Sequence, residues 1–175
     1  MHGWRIEIAQ GKAPRLAERK AMSQAEEKLK KMGLALPAPP QPLANYIPGY
    51  RTGNLVFLAG VGPRNADGSM IAGKVGKDLT VEQGYAAARL CALNLLANLK
   101  SVIGDLDKVT HVVKVLGMVN AAPDFGQHPE VVNGCSDLLL AVLGEKGRHA
   151  RSAVGMGSLP RGIAVEVEMI VEVVG

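Results

Sequence analysis

From Ile163 to the C-terminus the chain alternates: Ile163, Val165, Val167, Met169, Val171 and Val173 are apolar, with Glu166, Glu168 and Glu172 between them. A period of two puts each row on its own face of an extended chain, so the stretch predicts a half-buried β-strand. Just upstream, Val154 and Met156 share one parity, and Arg151, Ala153, Gly155 and Gly157 the other. Pro160-Arg161-Gly162 supplies turn chemistry between the two segments, and the pair reads as an antiparallel hairpin. Burying both apolar rows on one face then forces Arg151 onto the face of Glu166 and Glu168. Two registers fit, with Ala153 or Gly155 opposite Glu166, so Arg151 falls two or four residues further along, roughly 7–14 Å. Such a floor of Ala and Gly between a guanidinium and a carboxylate suits a small ligand; the same spacing also fits an exposed face with ordinary charges.

The rest of the pattern is helical and extended by turns. Ser23 with Glu26 three residues on forms a capping box, opening a short helix that ends at Gly33. The Pro-rich run over residues 36–43 predicts extended surface chain. Strands are expected at residues 46–51 and 55–59, joined by Thr52-Gly53-Asn54, and a short edge strand at 70–75. Thr80 caps a long helix to Ile103 whose stripe is Tyr85, Ala88, Ala92, Leu95, Leu96 and Leu99, and Gly104 ends it. A strand follows over 108–120, then a loop, then a second helix with Pro129 in its first turn and Gly144 as its stop. The order β-β-(β)-α-β-α-β-β predicts an α+β domain, with two main helices packed on one face of a mixed sheet.

Length and composition bound the function. A chain of 175 residues is enough for one domain with a real core. No continuous apolar run reaches the ~18 residues of a membrane span, and no secretory h-region opens the chain, so the expectation is a cytoplasmic protein with no membrane partner. Of the formal charge of +4, residues 1–21 carry +3 through Arg5, Lys12, Arg15, Arg19 and Lys20 against Glu7 and Glu18. The remainder is near neutral, which argues against nucleic acid as a partner. Residues 1–21 read as an early start ahead of Met22, an expression leader or a basic targeting arm, the first being preferred, and their deletion is expected to leave stability nearly unchanged. Cys91 and Cys135 fall in helical patterns without metal spacing and read as reduced, buried thiols. No metal cluster, Walker loop or Ser-His-Asp set stands out, and His2, His111, His128 and His149 read as structural or solvated.

Several patches together carry a resemblance. Ala150-Arg-Ser-Ala-Val, the Leu159-Pro160 turn and Val165-Glu-Val-Glu resemble the C-terminal signature of the reactive-intermediate deaminase family (Rid/YjgF, formerly L-PSP endoribonucleases). Tyr46 ahead of Gly53-Asn-Leu-Val-Phe-Leu-Ala-Gly, Asn94 to Lys100 ahead of Asp107-Lys-Val, and Asp124-Phe125 ahead of Val132-Asn133 agree in order and approximate spacing. The likeness covers about residues 44–173. It implies three parts: an extension at 1–21, a short helix and Pro-rich lead-in at 22–43, and a Rid-like domain at 44–175.

The resemblance implies a chorismate-mutase-like fold, a homotrimer with clefts between subunits, and a cofactor-free hydrolase that turns 2-imino or enamino acids into 2-keto acids and ammonia. By the same resemblance Arg151 binds the substrate carboxylate, Glu166 positions the attacking water, Tyr46 closes the cleft from a neighbouring subunit, and Asn133 is the helix-borne asparagine. A permanently charged planar guanidinium suits bidentate capture of a carboxylate, and a carboxylate suits orienting water. Two positions depart from the family: Ala59 stands where a serine is common and Ala153 where a cysteine is frequent, and residues 126–130 expand the helix entry. These departures leave open a catabolic deaminase of a larger, aminomuconate-like acid. A metabolite-binding trimer without turnover is the other alternative, and a ribonuclease the third.

Overall fold

The computed structural model describes residues 22–38 and 45–175; the extension at 1–21 and most of the Pro-rich run, 39–44, lie outside the described residues. Helix α1 (Gln24–Lys31) is followed by strands β1 (Gly49–Thr52) and β2 (Leu55–Val61), helix α2 (Val81–Ile103), strand β3 (Val109–Asn120), helix α3 (His128–Leu143) and strands β4 (Ala150–Met156) and β5 (Val165–Val173). The sheet order is β1-β2-β5-β3-β4, antiparallel throughout except for the parallel pair β3–β4. This is an α+β domain with a mixed sheet, the chorismate-mutase-like architecture.

Local chemistry sets the helix ends. Ser23 and Thr80 each close a reciprocal capping box with the residue three places on, Glu26 and Gln83. Gly104 ends α2 at φ 79, a left-handed conformation that an L side chain resists. Helix α1 is tied to the domain: the backbone N–H of Gln24 donates to Asp107 Oδ2 at 3.0 Å, Glu26 pairs with Lys100, and Ala25 and Leu29 join the core. That core lies between α2, α3 and one sheet face, filled by Leu95, Leu96 and Leu99 from α2, Leu138 and Leu139 from α3, and Val115, Val119, Val165, Val167, Met169 and Val171 from the strands. At 23 residues α2 is long and apolar enough by composition to cross a membrane, yet 67% of its most apolar window is buried against this core. The small residues where α2 meets α3 let the backbones approach closely; a Cβ on Gly134 would run into the carbonyl oxygen of Tyr85.

Two expectations are overturned. Residues 70–75 form isolated bridges, Arg64 with Met70, Ala72 with Ile163 and Val75 with Ala121, instead of an edge strand. More consequentially, β4 and β5 are not a hairpin: β3 lies between them, and β4 runs parallel to β3 as the sheet edge. Val115 is opposite both Arg151 and Met169, whereas Met118 is opposite both Val154 and Glu166. Because cross-strand partners share a face, Arg151 is on the helix side and Glu166 on the helix-free side. The parity is reversed because α3 lies tight on this end of the sheet and needs small residues beneath it. Val132 packs on Gly117, and the His128 ring occupies the space a Cβ on Gly155 would take. The apolar row of β4, including Val154, turns instead to the helix-free face, beside Met118.

Candidate functional site

The turn between α3 and β4 brings a cluster of polar side chains together. The chain leaves α3 through a 3₁₀ turn, Gly144–Gly147, in which Gly147 sits so close to Leu139 that a Cβ would meet its carbonyl oxygen. This tight return runs His149 and Arg151 back along α3. Arg151 Nη1 donates to Asn133 Oδ1 at 2.8 Å and to Ser136 Oγ at 3.0 Å, and Nη2 donates to the Pro129 carbonyl at 3.4 Å. Positions 129, 133 and 136 are spaced four and three apart, so one face of α3 holds the guanidinium. All three acceptors are neutral, and among the described residues no carboxylate pairs with Arg151. A guanidinium carries five N–H donors, and three are engaged; the Nε–H and one Nη2–H remain, on the two nitrogens that a carboxylate bridges side-on.

His149 adjoins the same group. Its Nδ1 is 2.7 Å from the Gly147 carbonyl, which can only accept, so Nδ1 carries the proton; in the neutral ring Nε2 then accepts from Ser136 Oγ at 3.0 Å. Burial holds the imidazole pKa below its ordinary value, the Gly147 contact opposes that, and the charges of Arg151 and His111 add to it. A cavity of about 370 Å³ opens here, lined by Ser136, Asp137, Leu140, Arg148, His149 and Arg151. In the core, the thiol of Cys135 is pushed up to about 12, by burial first, and Cys91 is raised by burial and then by Cys135. Both are free, buried thiols and poor nucleophiles. Among the described residues no His, Cys, Asp and Glu set has metal-binding geometry.

Of the site residues expected from the sequence, the structure brings together Arg151 and Asn133, with Ala153 two places along the same strand face and opposite Gly117. It does not bring Glu166, Ala59 or Tyr46 to them within one chain. The side chain of Glu166 lies over Gly60, next to Ala59 at the irregularity of β2, on the helix-free face. Tyr46 is exposed just ahead of β1, the edge strand opposite β4. Sequence reasoning missed Ser136 and His149; the one available signal was that Ser136 follows Asn133 by three on a helical face.

Glu166 is half-buried without a hydrogen-bond partner among the described residues, and its pKa is raised, by burial first and then by Glu168. A carboxyl whose folded pKa exceeds its unfolded one binds its proton more tightly in the native state, so its charge opposes folding at neutral pH and the penalty fades as pH falls through the folded pKa. Glu166→Gln is expected to raise the melting temperature slightly at pH 7, with the difference closing toward the acid end of the range. Equal melting curves at every pH would show a fully solvated carboxylate instead.

Residues 26–172 match the family model described as "YjgF/chorismate_mutase-like, putative endoribonuclease". Protein TCP17 of Trypanosoma cruzi is 45% identical over 145 residues, which cover 82% of this chain and 91% of that protein. The crystal structure of a protein of unknown function from Agrobacterium tumefaciens is 43% identical with a TM-score of 0.81, covering 86% of this chain and 93% of that one. That of a "putative endoribonuclease" from Shewanella oneidensis is 34% identical with a TM-score of 0.82, covering 85% and 99%. With the match running from α1 to the end of β5, over the sheet, both main helices and the Arg151 cluster, the chain belongs to the YjgF/chorismate-mutase-like family.

Proposed function

We propose that this protein is a deaminase of 2-imino and enamino acids, with Arg151 as the clamp for the substrate carboxylate. The observation that carries the reading is the state of that guanidinium: half-buried, held by three neutral acceptors, opposed by no acid among the described residues, and left with two unspent donors. A buried ion pair would have neutralised it; here its charge and its donors remain for an anion. With the carboxylate held, water adds to the imine carbon, the C=N electron pair moves to nitrogen, and loss of ammonia leaves the 2-keto acid. Because imine hydrolysis is intrinsically easy, fixing the substrate and the water accounts for most of the required acceleration.

The same reading calls for an oligomer. Glu166 is on the sheet face opposite Arg151 and Tyr46 precedes the far edge strand, so a neighbouring subunit is what would bring such groups to a bound substrate; the family resemblance gives that part to Tyr46 in a homotrimer. The helix-free sheet face, where Phe57 and Val154 are exposed beside Leu116 and Ile170, is the apolar surface for such contacts. A trimer is therefore expected by sedimentation at micromolar concentration; a stable monomer there would remove Glu166 and Tyr46 from the site. The activity itself is tested by generating 2-iminopropionate, 2-iminobutyrate and bulkier imines with an amino-acid oxidase and following semicarbazone formation as the protein is added. Competition for the imine should lower semicarbazone yield; an unchanged yield with every imine rejects turnover and leaves a metabolite-binding trimer.

A further inference from the structure

We propose that Ser136 and His149 form an acid–base relay on the wall of the Arg151 cavity, serving a carboxylate-bearing substrate held by Arg151. The directions of the hydrogen bonds carry this. Gly147 O fixes the proton on His149 Nδ1, which leaves Nε2 as a base facing Ser136 Oγ at 3.0 Å. Ser136 Oγ donates there and accepts from Arg151 Nη1 at 3.0 Å. A hydroxyl has one donor and two acceptor sites, so one lone pair of Ser136 is unspent among the described residues, and Ser136, His149 and Arg151 all line the same cavity of about 370 Å³. A base aligned through a hydroxyl beside a rigid, unneutralised cation is more than mid-helix packing requires: a serine there is satisfied by its own i−4 carbonyl.

The inference rests on the deaminase reading for its chemistry, and it gives the Arg151 pocket a base from its own chain. Water hydrogen-bonded to the free lone pair of Ser136 passes its proton to Oγ as the Oγ proton passes to His149 Nε2. The water oxygen bonds to the imine carbon, and the C=N pair goes to nitrogen. The imidazolium returns its proton by the same route to that nitrogen, giving the neutral carbinolamine. A second turn of the relay takes the proton of the new hydroxyl to His149 and delivers it to the –NH2, so that the oxygen pair forms the carbonyl as the C–N bond breaks and ammonia leaves. Imine plus water becomes ketone plus ammonia, with no change in redox state and no other reactant.

The charged and titratable groups around His149 are Arg151 from β4, His111 from β3, Asp137 from α3, and Arg148 beside it. The cations and burial favour the neutral ring, so the base form persists below the ordinary histidine range and activity is lost only as pH falls through that lowered pKa.

Two measurements test the relay. In the first, kcat and KM for the imino acid are followed across pH for wild type, Ser136→Ala and His149→Gln; glutamine can still accept from Ser136 but does not titrate. Both variants are expected to lose about 100-fold in kcat, the low end of what positioned acid–base groups contribute, with KM little changed and the acid limb absent in His149→Gln. Wild-type kcat and an unaltered acid limb in both variants overturn the relay while leaving the deaminase reading intact. In the second, the His149 ring of the wild-type protein is titrated by NMR with and without pyruvate, the simplest 2-keto acid. An anion in the Arg151 fork should raise the His149 pKa, and Arg151→Lys should abolish the shift. If the wild type hydrolyses no imine, the deaminase reading fails, and the titration alone decides whether His149 senses the anion; no pyruvate-dependent shift overturns the relay.

Discussion

Gly134→Ala is expected to destabilise the protein by about 2–3 kcal/mol, although glycine to alanine within a helix ordinarily stabilises by ~1 kcal/mol. The sign is decided by what the added methyl meets. Its Cβ would collide with the Tyr85 carbonyl oxygen, lie 2.9 Å from the Tyr85 carbonyl carbon and 3.1 Å from the Arg89 nitrogen. All three are backbone atoms of α2, so no side chain can rotate away and the helices must separate. Separation loosens the packing of Val131, Cys135 and Leu138 against α2, a loss that adds to the clash. For a chain of this size the melting temperature should fall by about 5–10 °C. Gly126→Ala is the control, because nothing lies within 4 Å of its added Cβ, and it should melt with the wild type. Equal melting of the two variants would show that α2 and α3 can part at no cost. Since Asn133 and Ser136 flank Gly134 on α3, the same displacement should also pull their acceptors from Arg151.

How far the sequence speaks depends on how local the deciding interaction is. The capping boxes at Ser23 and Thr80, the glycine stop at Gly104 and the proline at the start of α3 involve residues within one turn, and each is where the pattern places it. The partner of β4 is non-local: nothing in residues 150–156 records that β3, thirty residues upstream by rough count, slots between β4 and β5. The assumption that the apolar row of a strand faces the helices fails at β4 because both sheet faces are apolar there, and closeness to α3 assigns the helix side to Arg151, Ala153 and Gly155.

The site shows the same division. Arg151 and Asn133 were legible through the family signature, and the structure adds that they bond to each other. Nothing in the sequence pattern singled out Ser136, and His149 read as a structural or solvated histidine. Only the tight Gly144–Gly147 turn, which no periodicity encodes, sets them 3.0 Å apart. Glu166 was legible as an acid through the same signature, but its placement on the face opposite Arg151 was not, because that depends on the strand order.

Arg151→Lys should lower kcat/KM for imino acids by roughly 10- to 150-fold, corresponding to the loss of one charge-assisted hydrogen bond of about 1.5–3 kcal/mol. Lysine keeps the charge and most of the stem, so attraction of an anion to the cavity survives. What it lacks is the planar fork: a lysine bonded to Asn133 and Ser136 has at most one proton left, where arginine retains two on separate nitrogens. The carboxylate then pivots on one contact, and the imine carbon loses its fixed position relative to the attacking water. Stability should change far less. Asn133 and Pro129 are exposed, so water can satisfy the acceptors that lysine abandons, and a cost of about 1 kcal/mol would shift the melting temperature by about 2–4 °C. Unfolding and imine hydrolysis measured on the same sample separate the possibilities. Wild-type activity in the lysine variant would leave Arg151 as a generic positive charge. Activity lost only in proportion to unfolding would make it a structural arginine that ties β4 to α3.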